Sequence, residues 1–206
     1  MALLLAASTL RSFEGVLSGS VAGTTPILLA ALGGMYTYYS GIFNIAMEGM
    51  MLTGAFGAVV GGHRSGNWVG GVASGVLAAA LLGALFALFV LVLQTDEFVT
   101  GIALNLGAVG ATTFALRKTF KVAGAFSGTP GHPIPAVPRV RIPGVDRVPV
   151  LRALLSGHTL LDWVAVVAVV ASLVIVFRSP FGLRLRAAGE NPAMIDSIRA
   201  SVPIGE

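Results

Sequence analysis

The sequence predicts an all-α, polytopic transmembrane bundle of about five spans, and three observations carry that prediction. Only 11% of the 206 residues are charged and 55% are apolar, whereas an average soluble domain is about 25% charged. The mean hydropathy is +0.88. The few charges also stand between long apolar runs instead of being scattered through them. So little charge does not cover a water-facing globule. A soluble enzyme, a disordered chain and a small secreted domain are excluded, and residues 1–206 read as one membrane domain.

The charge-free runs are Gly15–Met47, Gly49–His63, Ser65–Thr95, Phe98–Leu116 and Trp163–Phe177. A helical crossing takes about 20 mostly apolar residues. The expected spans are therefore Leu17–Tyr36, Ile45–Gly62, Trp68–Leu93, Phe98–Leu116 and Thr159–Phe177, with a broken or re-entrant segment allowed among them. Tyr36, Tyr38 and Tyr39 suit an interfacial aromatic belt, as does Trp68 after the short His63–Asn67 turn. Residues 118–155 differ in kind. Pro130, Pro133, Pro135, Pro138, Pro143 and Pro149 fall there among several glycines, and such a stretch belongs in water as a long loop or short hairpin. Nothing in Met1–Leu10 resembles a signal peptide, which would carry a basic n-region.

Two small-xxx-small patterns, Gly57–Gly61 and Gly71–Gly75, lie inside expected spans. Small residues let helix backbones approach closely where lipid gives no hydrophobic drive to associate. Packing within one subunit is the plainer reading, and a dimer face the alternative.

Polar groups inside spans are costly and therefore informative. Asn44 and Glu48 are spaced i, i+4, which on a helix places them on one face, and Gly41 and Gly49 bracket them as a broken or close-packed helix entrance would require. A carboxylate at mid-membrane costs roughly 2.5–3.5 kcal/mol on insertion scales, so it faces a cavity or a partner. On residues alone, that reading and an interfacial Glu48 with Asn44 capping the next span weigh equally. Downstream, Thr95 or Asp96 suits a helix N-cap, and capping accounts for Asp96 and Glu97 together. It does not account for Asn105, about two turns inside an apolar segment, where an amide bonds a neighbouring helix more often than it meets a substrate.

From Arg178 the chain turns polar. Asn191 followed by Pro192 reads as an N-cap with proline at the first helical position. Met194, Ile195, Ile198 and Val202 give the following Ala193–Ser201 one apolar face, with Arg184 and Arg186 just upstream. This short helix suits either a lipid surface or a partner protein.

Other chemistries lack their residues. The chain has no cysteine, no phosphate-cradling GxxxxGK[ST] loop, no HExxH and no paired catalytic carboxylates. His63, His132 and His158 stand singly in turns or loops. No catalytic residue, metal site or cofactor is expected, and without that loop the chain cannot itself hold ATP by that device. The net charge of +4 is dispersed between spans, so nucleic acid is not expected as a partner; the lipid bilayer is.

Three blocks in order carry a resemblance: Thr25–Gly34 running into Gly41–Met51, then Asp96–Leu106, then Phe181–Asp196. Through them nearly the whole chain resembles permease subunits of bacterial ABC importers for simple sugars and nucleosides, within the ribose and branched-chain amino-acid permease superfamily. Family members continue into further membrane helices, so the resemblance implies a chain that lacks the C-terminal part. It also implies a multi-pass protein of the bacterial inner membrane. Its partners would be a second permease subunit, cytoplasmic ATPase subunits and an extracytoplasmic substrate-binding protein. Asn44, Glu48 and Asn105 would line the substrate pathway. Residues 178–206 would form the cytoplasmic coupling loop, with Arg184, Arg186, Gly189, Glu190, Asn191, Pro192, Met194, Ile195, Asp196 and Ile198 meeting the ATPase, and residues 118–155 would be extracytoplasmic.

Lysine and arginine counts oppose that orientation. With five spans, nine of the 13 fall on the side of residues 118–155 and four on the side of the tail, and the positive-inside rule would put the tail outside. The ordered coupling-loop block outweighs the count, because long loops obey the rule poorly. A nucleoside or simple-sugar importer is the leading reading. A branched-chain amino-acid importer and a membrane-embedded enzyme or assembly factor are the alternatives.

Overall fold

A computed structural model describes residues 2–122, 124, 126, 128–129, 132–141, 153–154 and 156–190. Its helices are α1 (Ala2–Tyr39), α2 (Met47–Ser65), α3 (Trp68–Ala87, extended by a π-helical turn over Leu88–Val92), α4 (Glu97–Phe120), α5 (Leu160–Arg178) and α6 (Pro180–Glu190). Two-residue antiparallel bridges stand in and beside the proline-rich stretch: β1 (Gly128–Thr129) pairs with β2 (His132–Pro133), and β3 (Arg139–Val140) with β4 (His158–Thr159). Helix α4 runs past the expected boundary at residue 118, continuing through Phe120 before Lys121 closes it at φ +57°.

Among the described residues four helices are long and apolar enough to cross a membrane: Ser12–Tyr39, Trp68–Val92, Glu97–Phe120 and Leu160–Arg178. They match four of the five expected spans to within a few residues. The fifth, Ile45–Gly62, is α2 here, a helix that does not reach the same apolarity. Its composition explains this, because Glu48 stands in its first turn and His63 and Arg64 in its last, with glycines between them where it meets α3. The outer surface is that of a membrane bundle: Leu81 is 72% exposed, Leu106 70% and Val167 66%, the inverse of a water-soluble core.

The chain divides into two compact units. In residues 1–32 with 137–179, the Asp162 carboxylate in the first turn of α5 accepts from Thr25 Oγ1 of α1 at 2.5 Å, and from Thr159 N and Oγ1 at 2.7 and 2.8 Å. Both carboxylate oxygens are thereby engaged, so Asp162 serves as an anchor between α1 and the cap of α5. Ala153, Ala165 and Val176 are buried apolar residues of this unit. Pro26 lies inside α1, as membrane helices tolerate.

The second unit, residues 33–136 with 180–206, is built on the α2–α3 hairpin, which turns through Gly66 at φ +62° and the N-cap Asn67. The two glycine patterns meet each other. A Cβ on Gly57 would lie 2.6 Å from Ala78 Cβ, and one on Gly75 would lie 2.9 Å from Gly54 O. Ser74 Oγ, lodged against Gly61, donates to Gly57 O at 3.0 Å. Packing inside one chain is thus what Gly57–Gly61 and Gly71–Gly75 do.

Candidate functional site

Helix α1 ends in a Schellman motif. Ile42 N donates to Thr37 O and Gly41 N to Tyr38 O, both at 3.0 Å, with Gly41 at φ +85°. This is the left-handed closure that glycine accepts without steric cost. Residues 42–45 are then non-helical, and α2 begins at Met47. A broken entrance was expected at Gly41–Gly49, and it is present. The shared helical face of Asn44 and Glu48 is not: Asn44 stands in the break and turns back on its own chain, its Oδ1 accepting from Ala46 N at 2.9 Å. Glu48 lies exposed on the first turn of α2, where a carboxylate complements the helix dipole.

Helix α4 holds this break in place. The residue at the N-cap of α2 is Ala46, which has no side chain able to cap and is fully buried. Asn105 takes over that role from the neighbouring helix. Its Oδ1 accepts from Gly49 N at 2.7 Å, and its Nδ2 donates to Ile45 O at 2.9 Å. One amide thus satisfies a donor of the α2 start and an acceptor of the break, groups that would otherwise be costly away from water. One turn earlier on the same face, a Cβ on Gly101 would stand 2.8 Å from Ile45 Cβ and 3.2 Å from Ala46 N. One turn later, Ala108 meets Gly49. Gly101, Asn105 and Ala108 therefore form a shallow seat for residues 45–49.

The other end of the break is held by Glu97. Asp96 caps α4 as expected, accepting from Val99 N at 2.9 Å. Glu97 plays a different part, because its Oε2 accepts from Phe43 N at 2.8 Å, while the Phe43 and Phe98 rings stack at 5.6 Å. Capping alone was therefore an incomplete explanation of Glu97. Its partner lies 54 positions away, and no local pattern marks it.

The described part of the polar segment after α5 is helical. Pro180 opens an 11-residue helix, α6, in which Arg184 is exposed, Arg186 half-buried and Glu190 the last residue. The short helix expected from the sequence falls on residues 193–201. Asn191, Pro192, Met194, Ile195, Asp196 and Ile198 lie outside the described residues. Pro180 carries the same proline-at-first-position signal as Pro192. Phe181 and Leu183 are 58% and 63% exposed, leaving α6 an apolar edge. Its far end meets the break: Gly189 sits so close to Gly41 that a Cβ on Gly189 would lie 2.5 Å from Tyr39 O and 2.9 Å from Gly41 N.

Of the expected pathway residues, Asn44 and Asn105 thus both hold the break through backbone groups, and Glu48 is the one exposed. Seat, break and α6 converge in the second unit. Sequence reasoning did not find Gly101 as the seat, Glu97 as a tether or Gly189 as the neighbour of Gly41.

Comparison with known proteins finds permease relatives over most of the chain. The chain is 34% identical over 184 residues to a guanosine ABC transporter permease protein, NupQ, of Bacillus subtilis, covering 86% of this chain and 56% of that protein. It is 31% identical over 190 residues to a putative glucose ABC transporter permease protein, TsgC13, of Haloferax volcanii, covering 92% and 55%. With a nucleoside ABC transporter permease protein, NupC, of Lactococcus lactis it shares 28% over 202 residues, covering 95% and 62%. The chain therefore spans a little over half the length of these relatives. No solved structure matches it. Residues 16–199 match the family described as branched-chain amino acid transport system / permease component, and the chain belongs to that family.

Proposed function

We propose that this chain forms part of the membrane pathway of an ATP-driven importer for a nucleoside or a simple sugar, in the cell membrane. The observation that carries the reading is the family match over residues 16–199, joined to three relatives whose names specify guanosine, nucleoside and glucose permeases. The work divides among partners. A second permease subunit completes the pathway, an extracytoplasmic binding protein delivers the substrate, and cytoplasmic ATPase subunits supply the energy through residues 178–206. Residues 118–155 lie on the extracytoplasmic side.

Glu48 is the side chain of this chain best suited to meet a polar solute, because it is exposed at the mouth of α2 beside a stretch of non-helical backbone. Asn44 and Asn105 give that mouth its shape. Non-helical backbone at membrane depth is tolerated where it lines a water-filled cavity or is covered by protein, and the break at residues 42–45 fits such a place.

The test is uptake by the assembled transporter in vesicles, with labelled guanosine, glucose and leucine offered separately. ATP-dependent uptake of guanosine or glucose, lost in Glu48→Ala while assembly persists, supports the reading. Uptake of leucine alone moves the assignment to branched-chain amino acids, and ATP-independent behaviour removes it.

A further inference from the structure

The backbone of α6 comes close to the backbone at the end of α1, just before the break. A Cβ placed on Gly41 would lie 3.1 Å from Gly189 Cα, and one on Gly189 would lie 2.5 Å from Tyr39 O. No side chain stands between the two backbones to absorb motion. From Gly41 the chain continues through residues 42–45 without helical hydrogen bonding. That stretch is hydrogen-bonded to α4 through Phe43 N on Glu97 and Ile45 O on Asn105, beside the Phe43–Phe98 stack and the Ile45–Gly101 approach. Asn105 then connects directly to Gly49 N in the first turn of α2, one residue from Glu48.

We propose that the Gly189–Gly41 contact is the point at which movement of α6 is passed to the break and so to the mouth of α2. Both glycines are positioning residues: they act through residues 42–49 and touch no substrate. The proposal rests on the reading of residues 178–206 as the ATPase-facing segment, and it adds where that segment delivers its motion. Non-helical residues at element ends are the usual carriers of such changes, because they absorb altered φ and ψ without breaking a helix. A methyl group at position 189 forces the two backbones apart, while the exposed edge of Phe181 and Leu183 on the same helix stays as it is.

The experiment uses the complete transporter reconstituted in vesicles and compares wild type with Gly189→Ala. ATPase co-purification, ATP hydrolysis and solute uptake are measured on the same preparation. The expected result, per transporter that retains its ATPase, is uptake per ATP lowered by about tenfold, within the usual range of inter-site coupling. Uptake per ATP equal to wild type overturns the proposal and leaves the ATPase-facing reading intact. A wild-type chain that binds no ATPase sinks that reading instead. Should Gly189→Ala fail to assemble, a Phe43→Cys chain with Gly189 retained decides the matter. Nucleotide binding to the partner is expected to change the thiol-labelling rate at position 43, and an unchanged rate contradicts the proposal.

Discussion

Helix α2 meets its two neighbours in different ways. Against α3 the contact depends on missing side chains, with Gly57 and Gly61 opposite Ala78 and Ser74, and Gly75 opposite Gly54 and Ala58. Against α4 it depends on side chains that reach for backbone, with Asn105 on Ile45 and Gly49. The first interface runs along two regular helices whose backbone groups already bond internally, so it rests on close packing, with one bond from Ser74 Oγ to Gly57 O. The second holds a place where the helix is interrupted and backbone groups need partners. Close packing makes a rigid hairpin. Polar tethering keeps an irregular segment in register.

The largest expected effect comes from disturbing the packed interface. Gly61→Val is expected to destabilise the chain by about 3 kcal/mol, the upper part of the usual overpacking range, because its Cβ has no room beside Ser74. Gly107→Val, where nothing lies within 4 Å of the added Cβ, is expected to stay within about 0.5 kcal/mol. Denaturant unfolding in mixed micelles measures both, and equal effects would dissolve the contrast between packed and open helix faces.

Next comes the tethered interface. Asn105→Leu leaves Gly49 N and Ile45 O without their partner, for an expected loss of about 2 kcal/mol. The loss is expected alongside faster hydrogen exchange at Gly49. A stability change without altered exchange there would mean that Asn105 acts by volume and not by capping. The smallest effect belongs to Glu97→Gln. Glutamine keeps an acceptor for Phe43 N, so the expected cost is under about 1 kcal/mol, whereas Glu97→Ala is expected to exceed it. Equal stabilities of the two variants would show that the bond to Phe43 contributes little.

Most of the fold was legible because membrane helices announce themselves as charge-free runs, and the lipid leaves a chain little choice but helix there. Trp68–Val92 and Leu160–Arg178 fall almost where the run lengths put them. The glycine patterns were legible as packing surfaces too. The site was only partly so. Gly41 and Gly49 marked a broken entrance, yet placing Asn44 and Glu48 on one face assumed a helix that Gly41 had already ended. Asn105 was recognisable as a bonding amide, but its target is a backbone 56 and 60 positions away, which spacing does not reveal. Glu97 was masked by the simpler service of Asp96. Helix α6 was passed over because the Asn191–Pro192 pair drew the same inference that Ser179–Pro180 equally supports.

Residues 42–45 form a non-helical break seated on α4, and single-cysteine labelling across positions 43–49 tests this most directly in a cysteine-free chain. With the transporter in membranes and a small polar thiol reagent, positions 43 and 48 are expected to react readily. Positions 46 and 49, buried against α4, are expected to resist until Asn105→Leu is added. Reactivity that rises and falls with helical period, so that 44 tracks 48 while 43 is protected, would mean a continuous helix through this segment and would contradict the break.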